Sequence, residues 1–172
     1  EGQSVNLEGA ESDKGLQAPI YKDVPVVVAD DNRTNREYVA SLLEDLGCQV
    51  FMAGSGEDVL EQLASQPCKL VLMDCEMPGM DGLTATRKLR QTFPAGQLPV
   101  LALTGHTGSD QLAACRDAGM NACLNKPIRR QELYKALEQF LPVPQGEEKP
   151  LRGKTILVVE DSLYMQDLIA SM

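Results

Sequence analysis

Short aliphatic runs and amphipathic stretches alternate along the middle of the chain. The aliphatic runs are typical of buried strands and cover 24–29, 50–52, 70–73, 100–103 and 122–124. In the stretches between them, apolar residues recur every three or four positions, which is the period of a helix packed on one side. The first such stretch carries Val39, Leu42, Leu43 and Leu46 and stops at Gly47. The pattern therefore predicts strands and helices in strict alternation.

The later helices show the same period. Ser55 with Asp58 three residues on resembles a capping box at the start of the second helix, which is expected to end near Pro67. The remaining helices are predicted from just after 82 to about 93, over 110–118, and from just after 127. Five strand and helix pairs in sequence predict right-handed crossovers and a parallel sheet covered by helices on both faces. The expected fold is α/β, a doubly wound five-stranded parallel sheet in the flavodoxin-like order 2-1-3-4-5 with five helices.

Acidic residues end two of the predicted strands. Asp30 and Asp31 follow the first, and Asp74 follows the third. In the order 2-1-3-4-5 these two strands are neighbours, and ligands bind where their carboxyl ends meet. Three carboxylates at one edge repel each other unless a cation lies among them, and oxygen-rich acidic sites are those that Mg²⁺ prefers. The sequence therefore predicts a Mg²⁺ site with one carboxylate left to react.

Composition excludes some functions. The 172 residues are 43% hydrophobic, and no apolar run approaches the length of a membrane helix. A formal net charge of −9 disfavours binding to nucleic acid, which needs clustered Lys and Arg. The five cysteines lack C-x-x-C spacing, and their odd number makes a poor disulfide framework, so reduced thiols in the cytoplasm are expected. They are Cys48, Cys68, Cys75, Cys115 and Cys123.

Both ends of the chain differ from its middle. Residues 1–22 are polar without a period and are expected to form a linker, and 142–152 is a second, proline-punctuated linker. The run 156–162 mirrors 26–32 at a constant offset, with Glu160 and Asp161 in place of the first acid pair. Such a long-period repeat indicates tandem domains, although a chance apolar run before two acids is the alternative. We expect one domain over 23–141, the truncated start of a second over 153–172, and a chain that is an internal piece of a longer protein.

Five motifs in order resemble those of the receiver domain of two-component response regulators. They are Asp30-Asp31, Asp74, the hexapeptide 77–82, Leu103-Thr104-Gly105 and Lys126-Pro127. The resemblance covers about residues 23–141, and the shared order and spacing make it specific. It implies that the chain is a phosphoacceptor rather than a kinase.

The resemblance also implies a role for each site residue. Asp74 is the expected phosphoacceptor and binds Mg²⁺ directly together with Asp31. Asp30 is expected to bind the ion through water, and Glu76 through its backbone carbonyl. Thr104 is expected to bond a phosphoryl oxygen, and Lys126 to pair with the phosphoryl group.

Two further positions are expected to tune the site. His106, the only histidine, is interpreted as an exposed loop residue two positions after Thr104, where this family sets the lifetime of the phosphate. Cys123 stands where many receivers carry the aromatic residue of their conformational switch, which leaves Thr104 as the switching group. Cys75, next to the phosphoacceptor, is interpreted as a buried small hydrophobe rather than a redox sensor.

The implied context is a hybrid sensor histidine kinase with tandem receivers, in which this fragment is cytoplasmic even if the sensor is membrane-anchored. The expected partners are the phosphodonor domain of a histidine kinase, a histidine phosphotransfer domain and the adjacent second receiver. A lone response regulator with two receivers is a close variant. A pseudo-receiver that regulates a kinase without being phosphorylated is the main alternative.

Two alternatives come from other protein classes. A Mg²⁺-dependent phosphatase with an Asp nucleophile would carry Asp-x-Asp after its first strand, whereas here Asp74-Cys75-Glu76 follows the third. A flavodoxin would carry a Ser/Thr-rich phosphate loop after the first strand, and 32–36 is not one. Each site residue also has a structural explanation, since an Asp after a strand often forms a turn and a Lys often lies on the surface.

Overall fold

Five strands and five helices alternate along the residues that the structure, a computed structural model, describes: 21–106 and 108–142. The strands are β1 Pro25–Ala29, β2 Gln49–Ala53, β3 Leu70–Asp74, β4 Val100–Thr104 and β5 Ala122–Asn125. The helices are α1 Arg33–Glu44, α2 Gly56–Ser65, α3 Gly82–Leu89, α4 Ser109–Ala118 and α5 Arg130–Phe140. The predicted alternation is confirmed.

All strand pairs are parallel, and their order in the sheet is β2-β1-β3-β4-β5. Val27 of β1 lies between Phe51 of β2 and Val71 of β3, which fixes the register at the centre of the sheet. The predicted doubly wound fold is therefore confirmed. Because β1 and β3 are neighbours, the residues that follow them lie at the same edge.

Helices cover both faces of the sheet and form two cores. Helices α1 and α5 pack on the face that contains Val26, Val28 and Leu72. Helices α2, α3 and α4 pack on the opposite face, which contains Val27 and Met73. Side chains alternate between these faces along each strand, and burial on both faces explains why the strands are continuous apolar runs.

Side-chain caps start the helices next to the predicted site. Asn32 accepts hydrogen bonds from the backbone N–H groups of Thr34 and Asn35, at 2.9 and 3.2 Å, and so begins α1 directly after the acid pair. At the start of α2, Ser55 accepts from the N–H of Asp58 at 3.1 Å, while the Asp58 carboxylate accepts from the N–H of Gly54 at 2.9 Å. The capping box is thus present, with its return bond one residue earlier than usual.

Two boundaries differ from the predictions. Helix α3 ends at Leu89 rather than near 93, because the chain tightens into turns with i→i+3 bonds, such as that from the Thr92 N–H to the Leu89 carbonyl at 3.1 Å, just before Pro94. Tyr21 falls in the predicted linker, yet its side chain is fully buried and its N–H bonds the Leu46 carbonyl at 2.6 Å. The domain therefore includes residue 21, two positions before the predicted boundary.

The predictions for both ends of the chain cannot be compared with the fold. The rest of the first linker (1–20), the second linker from 143 onward and the partial second domain (153–172) lie outside the described residues. Within the described part of the chain, no helix has the length and apolar character required to cross a membrane.

Candidate functional site

Three carboxylates meet where β1 and β3 end. One oxygen each from Asp30, Asp31 and Asp74 lies within 4.8 Å of the others. Asp30 and Asp74 are 1% and 3% exposed, whereas Asp31 is exposed. The cluster is therefore buried on one side and open on the other, so that a ligand can enter beside Asp31.

Lys126 joins the cluster from the loop after β5. Its Nζ lies 2.7 Å from Asp74 Oδ2 and 2.8 Å from Asp30 Oδ2. Its backbone N–H bonds the Thr104 carbonyl at 2.8 Å, which continues the pairing of β4 and β5 and directs the long side chain over the sheet edge. One ammonium group thus faces three carboxylates, and the site keeps an excess of negative charge.

Burial and the neighbouring charged groups shift the pKa values of Asp74 and Lys126. Burial raises the pKa of Asp74 above its usual value, although hydrogen bonds from Lys126 and from the Glu76 N–H oppose the shift. Burial alone would lower the pKa of Lys126, but its hydrogen bonds and charge interactions with Asp30 and Asp74 outweigh burial and raise that pKa. Lys126 therefore stays protonated beside the carboxylates.

The donor atoms of the site fit Mg²⁺. Hard divalent cations are held by carboxylate and carbonyl oxygens, and the cluster supplies oxygen from three aspartates. Two positive charges would also offset the negative charge that Lys126 leaves uncompensated. Asp30, Asp31 and Asp74 are the residues that would hold the ion.

Thr104 ends β4 at the same edge, beside β3. Its buried hydroxyl donates to the backbone carbonyl of His106 and accepts from the His106 N–H, both at 3.1 Å. The hydroxyl is therefore engaged with its own loop, and it would have to leave the His106 carbonyl to donate to a phosphoryl oxygen.

His106 is exposed, as predicted, and it has a partner that the sequence did not indicate. Its Nδ1 lies 3.0 Å from Oε1 of Glu76, and the two side chains are 70% and 68% exposed. This contact connects the loop after β4 with the loop after β3. Glu76 was predicted to act through its backbone carbonyl alone, and because its side chain meets a residue thirty positions away, no local pattern could have revealed the contact.

The cysteines near the site belong to the core. Cys123 pairs in register with Ala102 and is partly buried against the face of α2, α3 and α4. Cys75 is buried, and its Sγ lies 3.5 Å from that of Cys115. Burial raises the pKa of Cys75, and it raises those of Cys115 and Cys123 to about 11. Thiols with such values are protonated near neutral pH, which agrees with the interpretation of Cys75 as a small hydrophobe.

Two residues that the sequence analysis did not assign to the site contact its backbone. Nη1 of Arg36 donates to the carbonyl of Asp30 at 2.5 Å and lies 3.4 Å from that of Asp31. Gly82 begins α3 so close to the Asp74 carbonyl that a Cβ there would lie 2.0 Å from its oxygen. The sequence does place Arg36 in the first turns of the helix that follows the acid pair, which could have indicated a contact with that pair. Charged residues on a helix surface usually have no such function, so this position alone did not single it out.

Known proteins are similar to this chain in both sequence and fold. The family model described as the response regulator receiver domain matches residues 26–138. The hybrid signal transduction protein dokA of Dictyostelium discoideum is 38% identical over 122 residues, which are 70% of this chain and 7% of that protein. The sensor protein GacS of Pseudomonas syringae is 31% identical over 171 residues, which are 90% of this chain and 19% of that protein. The chain thus spans less than a fifth of the length of either relative.

A solved receiver-domain structure is also similar to this chain. The receiver domain of a sensor histidine kinase from Pseudomonas aeruginosa, crystallised with a magnesium ion coordinated in its active site cleft, is 30% identical. It superposes with a TM-score of 0.64 over 69% of this chain and 97% of that one. With its five-stranded order and its acidic cluster, the chain belongs to the response regulator receiver domain family.

Proposed function

We propose that Asp74 accepts a phosphoryl group from the phosphohistidine of a histidine kinase, with Mg²⁺ as the cofactor. The observation that carries this proposal is the position of the Asp74 carboxylate, which lies 2.7 Å from the Lys126 ammonium and within 4.8 Å of two further carboxylates. An aspartate that only ends a strand would need neither a lysine ammonium nor two further carboxylates beside it. The pseudo-receiver alternative finds no support, because the acid, Thr and Lys positions are all filled.

The transfer needs positioning and charge neutralisation more than covalent assistance from other side chains. An oxygen of Asp74 attacks phosphorus and forms a P–O bond while the P–N bond to the donor histidine breaks. The imidazole nitrogen keeps the electron pair of that bond and takes a proton. When bound, Mg²⁺ neutralises negative charge on the carboxylates and the phosphoryl oxygens. Lys126 supplies a second positive charge, and the Thr104 hydroxyl donates to a phosphoryl oxygen once it leaves the His106 carbonyl.

Labelling with small phosphodonors tests this function. Incubated with acetyl phosphate or phosphoramidate and Mg²⁺, the chain is expected to gain one phosphoryl group by intact-mass spectrometry. The same mixture with excess EDTA is expected to show none, because the charge of the site is then uncompensated. The absence of a mass gain with both donors in Mg²⁺, or an equal gain in EDTA, would contradict the proposal.

The proposed ligand set has Asp31 and Asp74 binding Mg²⁺ directly, Asp30 binding it through water, and Glu76 binding it through its backbone carbonyl. Asp31→Asn is expected to weaken Mg²⁺ binding by about tenfold, because affinity for hard cations depends on the number of charged ligands. Isothermal titration calorimetry measures the effect. Asp117→Asn, on the exposed surface of α4, removes the same charge elsewhere and is expected to leave the affinity unchanged. An unchanged Mg²⁺ affinity in Asp31→Asn would refute the assignment.

We further propose that the chain comes from a hybrid sensor histidine kinase, as the names of its relatives suggest. Its partners are then the phosphodonor domain of a kinase and a histidine phosphotransfer domain, both in the cytoplasm. The repeat at 156–162 supports a second receiver that begins near 153 after a linker over 142–152. His106 and Cys123 remain the proposed tuning positions.

A further inference from the structure

Arg36 directs its guanidinium at the backbone of the acid pair. It lies on α1, is half-buried, and contacts the carbonyl oxygens of Asp30 and Asp31 through Nη1, at 2.5 and 3.4 Å. Arg33, one turn earlier on the same helix, instead forms an exposed ion pair with Glu37 at 2.6 Å. Among the described residues no ion pair includes Arg36. Its hydrogen bonds therefore go to the main chain rather than to a carboxylate.

The backbone that Arg36 contacts carries two of the three carboxylates of the proposed metal site. The Asp30 N–H bonds the Ala53 carbonyl at 3.2 Å, and the Asn32 N–H bonds Asp30 Oδ1 at 2.8 Å. These two contacts hold the ends of the turn, whereas the carbonyls of Asp30 and Asp31 point to Arg36. The orientation of the exposed Asp31 side chain depends on this peptide segment, since no hydrogen bond to its carboxylate is present among the described residues.

We propose that Arg36 is a positioning residue for Mg²⁺: by fixing the main chain of Asp30 and Asp31, it aligns their carboxylates with Asp74 before the ion binds. The inference rests on the proposed ligand set. Preorganisation of this kind is a common role of residues that hold metal ligands without touching the metal. A positive charge near the site has the opposite tendency, because it repels a cation. Replacing Arg36 is therefore expected to weaken Mg²⁺ binding if preorganisation dominates and to strengthen it if charge repulsion dominates.

Replacement by Met separates the effects, since Met keeps an unbranched stem and has neither the charge nor the donors. Arg36→Met is expected to weaken Mg²⁺ binding by about tenfold, the usual cost of losing a partner of a metal ligand. Arg33→Met is the matched control, because it removes the same charge from the same helix without contacting the acid pair. Arg36→Lys keeps the charge and one donor group, and its affinity is expected to lie between those of the parent and Arg36→Met.

Calorimetric titration with Mg²⁺ alone measures these affinities, at a temperature where circular dichroism shows each variant folded. It requires no phosphoryl transfer, so it remains decisive even if labelling of Asp74 fails. As a second readout, the rate at which acetyl phosphate labels Arg36→Met is expected to recover to that of the parent at saturating Mg²⁺. A general loss of structure would not allow this recovery. If Arg36→Met does not fold, the titration of Arg36→Lys against the parent carries the test.

Three outcomes would overturn the proposal. They are tighter or unchanged Mg²⁺ binding in Arg36→Met, an equal loss of affinity in Arg33→Met, and a labelling rate of Arg36→Met that stays below that of the parent when Mg²⁺ is saturating. In the fallback experiment, a parental affinity in Arg36→Lys would do the same.

Discussion

Replacing Asp74 with Asn is expected to abolish phosphorylation of this chain. The amide has nearly the shape of the carboxylate, but it lacks the negative oxygen that attacks phosphorus and cannot form a stable acyl phosphate. The exposed Asp31 is a poor substitute, because among the described residues Lys126 pairs with Asp30 and Asp74 and not with Asp31. Intact-mass measurement after incubation with acetyl phosphate and Mg²⁺ is expected to show no added phosphoryl group.

Asp81→Asn is the matched control for this experiment. Asp81 lies in the loop that follows Asp74 and caps α3 by accepting a hydrogen bond from the Thr84 N–H at 2.6 Å. Asn caps a helix about as well as Asp, so this variant is expected to fold and to be labelled like the parent. Labelling of Asp74→Asn at the parental level, mapped by peptide sequencing to another residue, would remove Asp74 from the acceptor role.

Gly82→Ala is expected to destabilise the domain and to slow phosphorylation at the same time. The added Cβ would lie 2.0 Å from the Asp74 carbonyl oxygen and 2.9 Å from Met73 Cγ, so α3 or the end of β3 must move. Ala favours helices over Gly by up to about 1 kcal/mol, but backbone overlap outweighs that gain. We expect the free energy of unfolding to fall by about 2 to 3 kcal/mol, as measured by urea denaturation.

The displaced carbonyl belongs to the proposed phosphoacceptor, so the labelling rate of the folded variant is also expected to fall. Gly96→Ala is the control, because Gly96 is exposed and a Cβ there would meet nothing within 4 Å. Its free energy of unfolding is expected to change by no more than about 0.5 kcal/mol. Equal stabilities for Gly82→Ala and the parent would show that α3 can shift away from β3 without cost.

The strands were predictable because burial on both faces makes each one a continuous apolar run. The predicted strand at 70–73 matches β3 to within one residue, since all five of its residues are buried. The end of α3 was less predictable, because Arg90 bonds the carbonyls of Phe93, Leu98 and Gly119 and so stabilises the turns that replace the expected last helical residues. The bond to Gly119 joins positions 29 residues apart, and local periodicity carries no signal for it.

The candidate site was likewise predictable only in part. Asp30, Asp31 and Asp74 were predicted to meet, because parallel order places the ends of adjacent strands together, and the structure brings them within 4.8 Å. The resemblance implied that Lys126 belongs to the site and pairs with a phosphoryl group, whereas its position between Asp30 and Asp74 comes from the structure. The contact between His106 and Glu76 and the bonds from Arg36 to the acid pair had no counterpart in the sequence analysis.

The sequence by itself determined the alternation of strands and helices, because this follows from periodicity. The sheet order, and with it the edge at which the acids collect, was expected from the common flavodoxin-like arrangement of such alternations. Only the tertiary structure decided how the acidic cluster is held: Lys126 between two carboxylates, Arg36 on the main chain of the acid pair, and Gly82 against the Asp74 carbonyl. Such contacts depend on distances of a few ångströms between segments remote in sequence. They exist only once the sheet edge and its loops have formed.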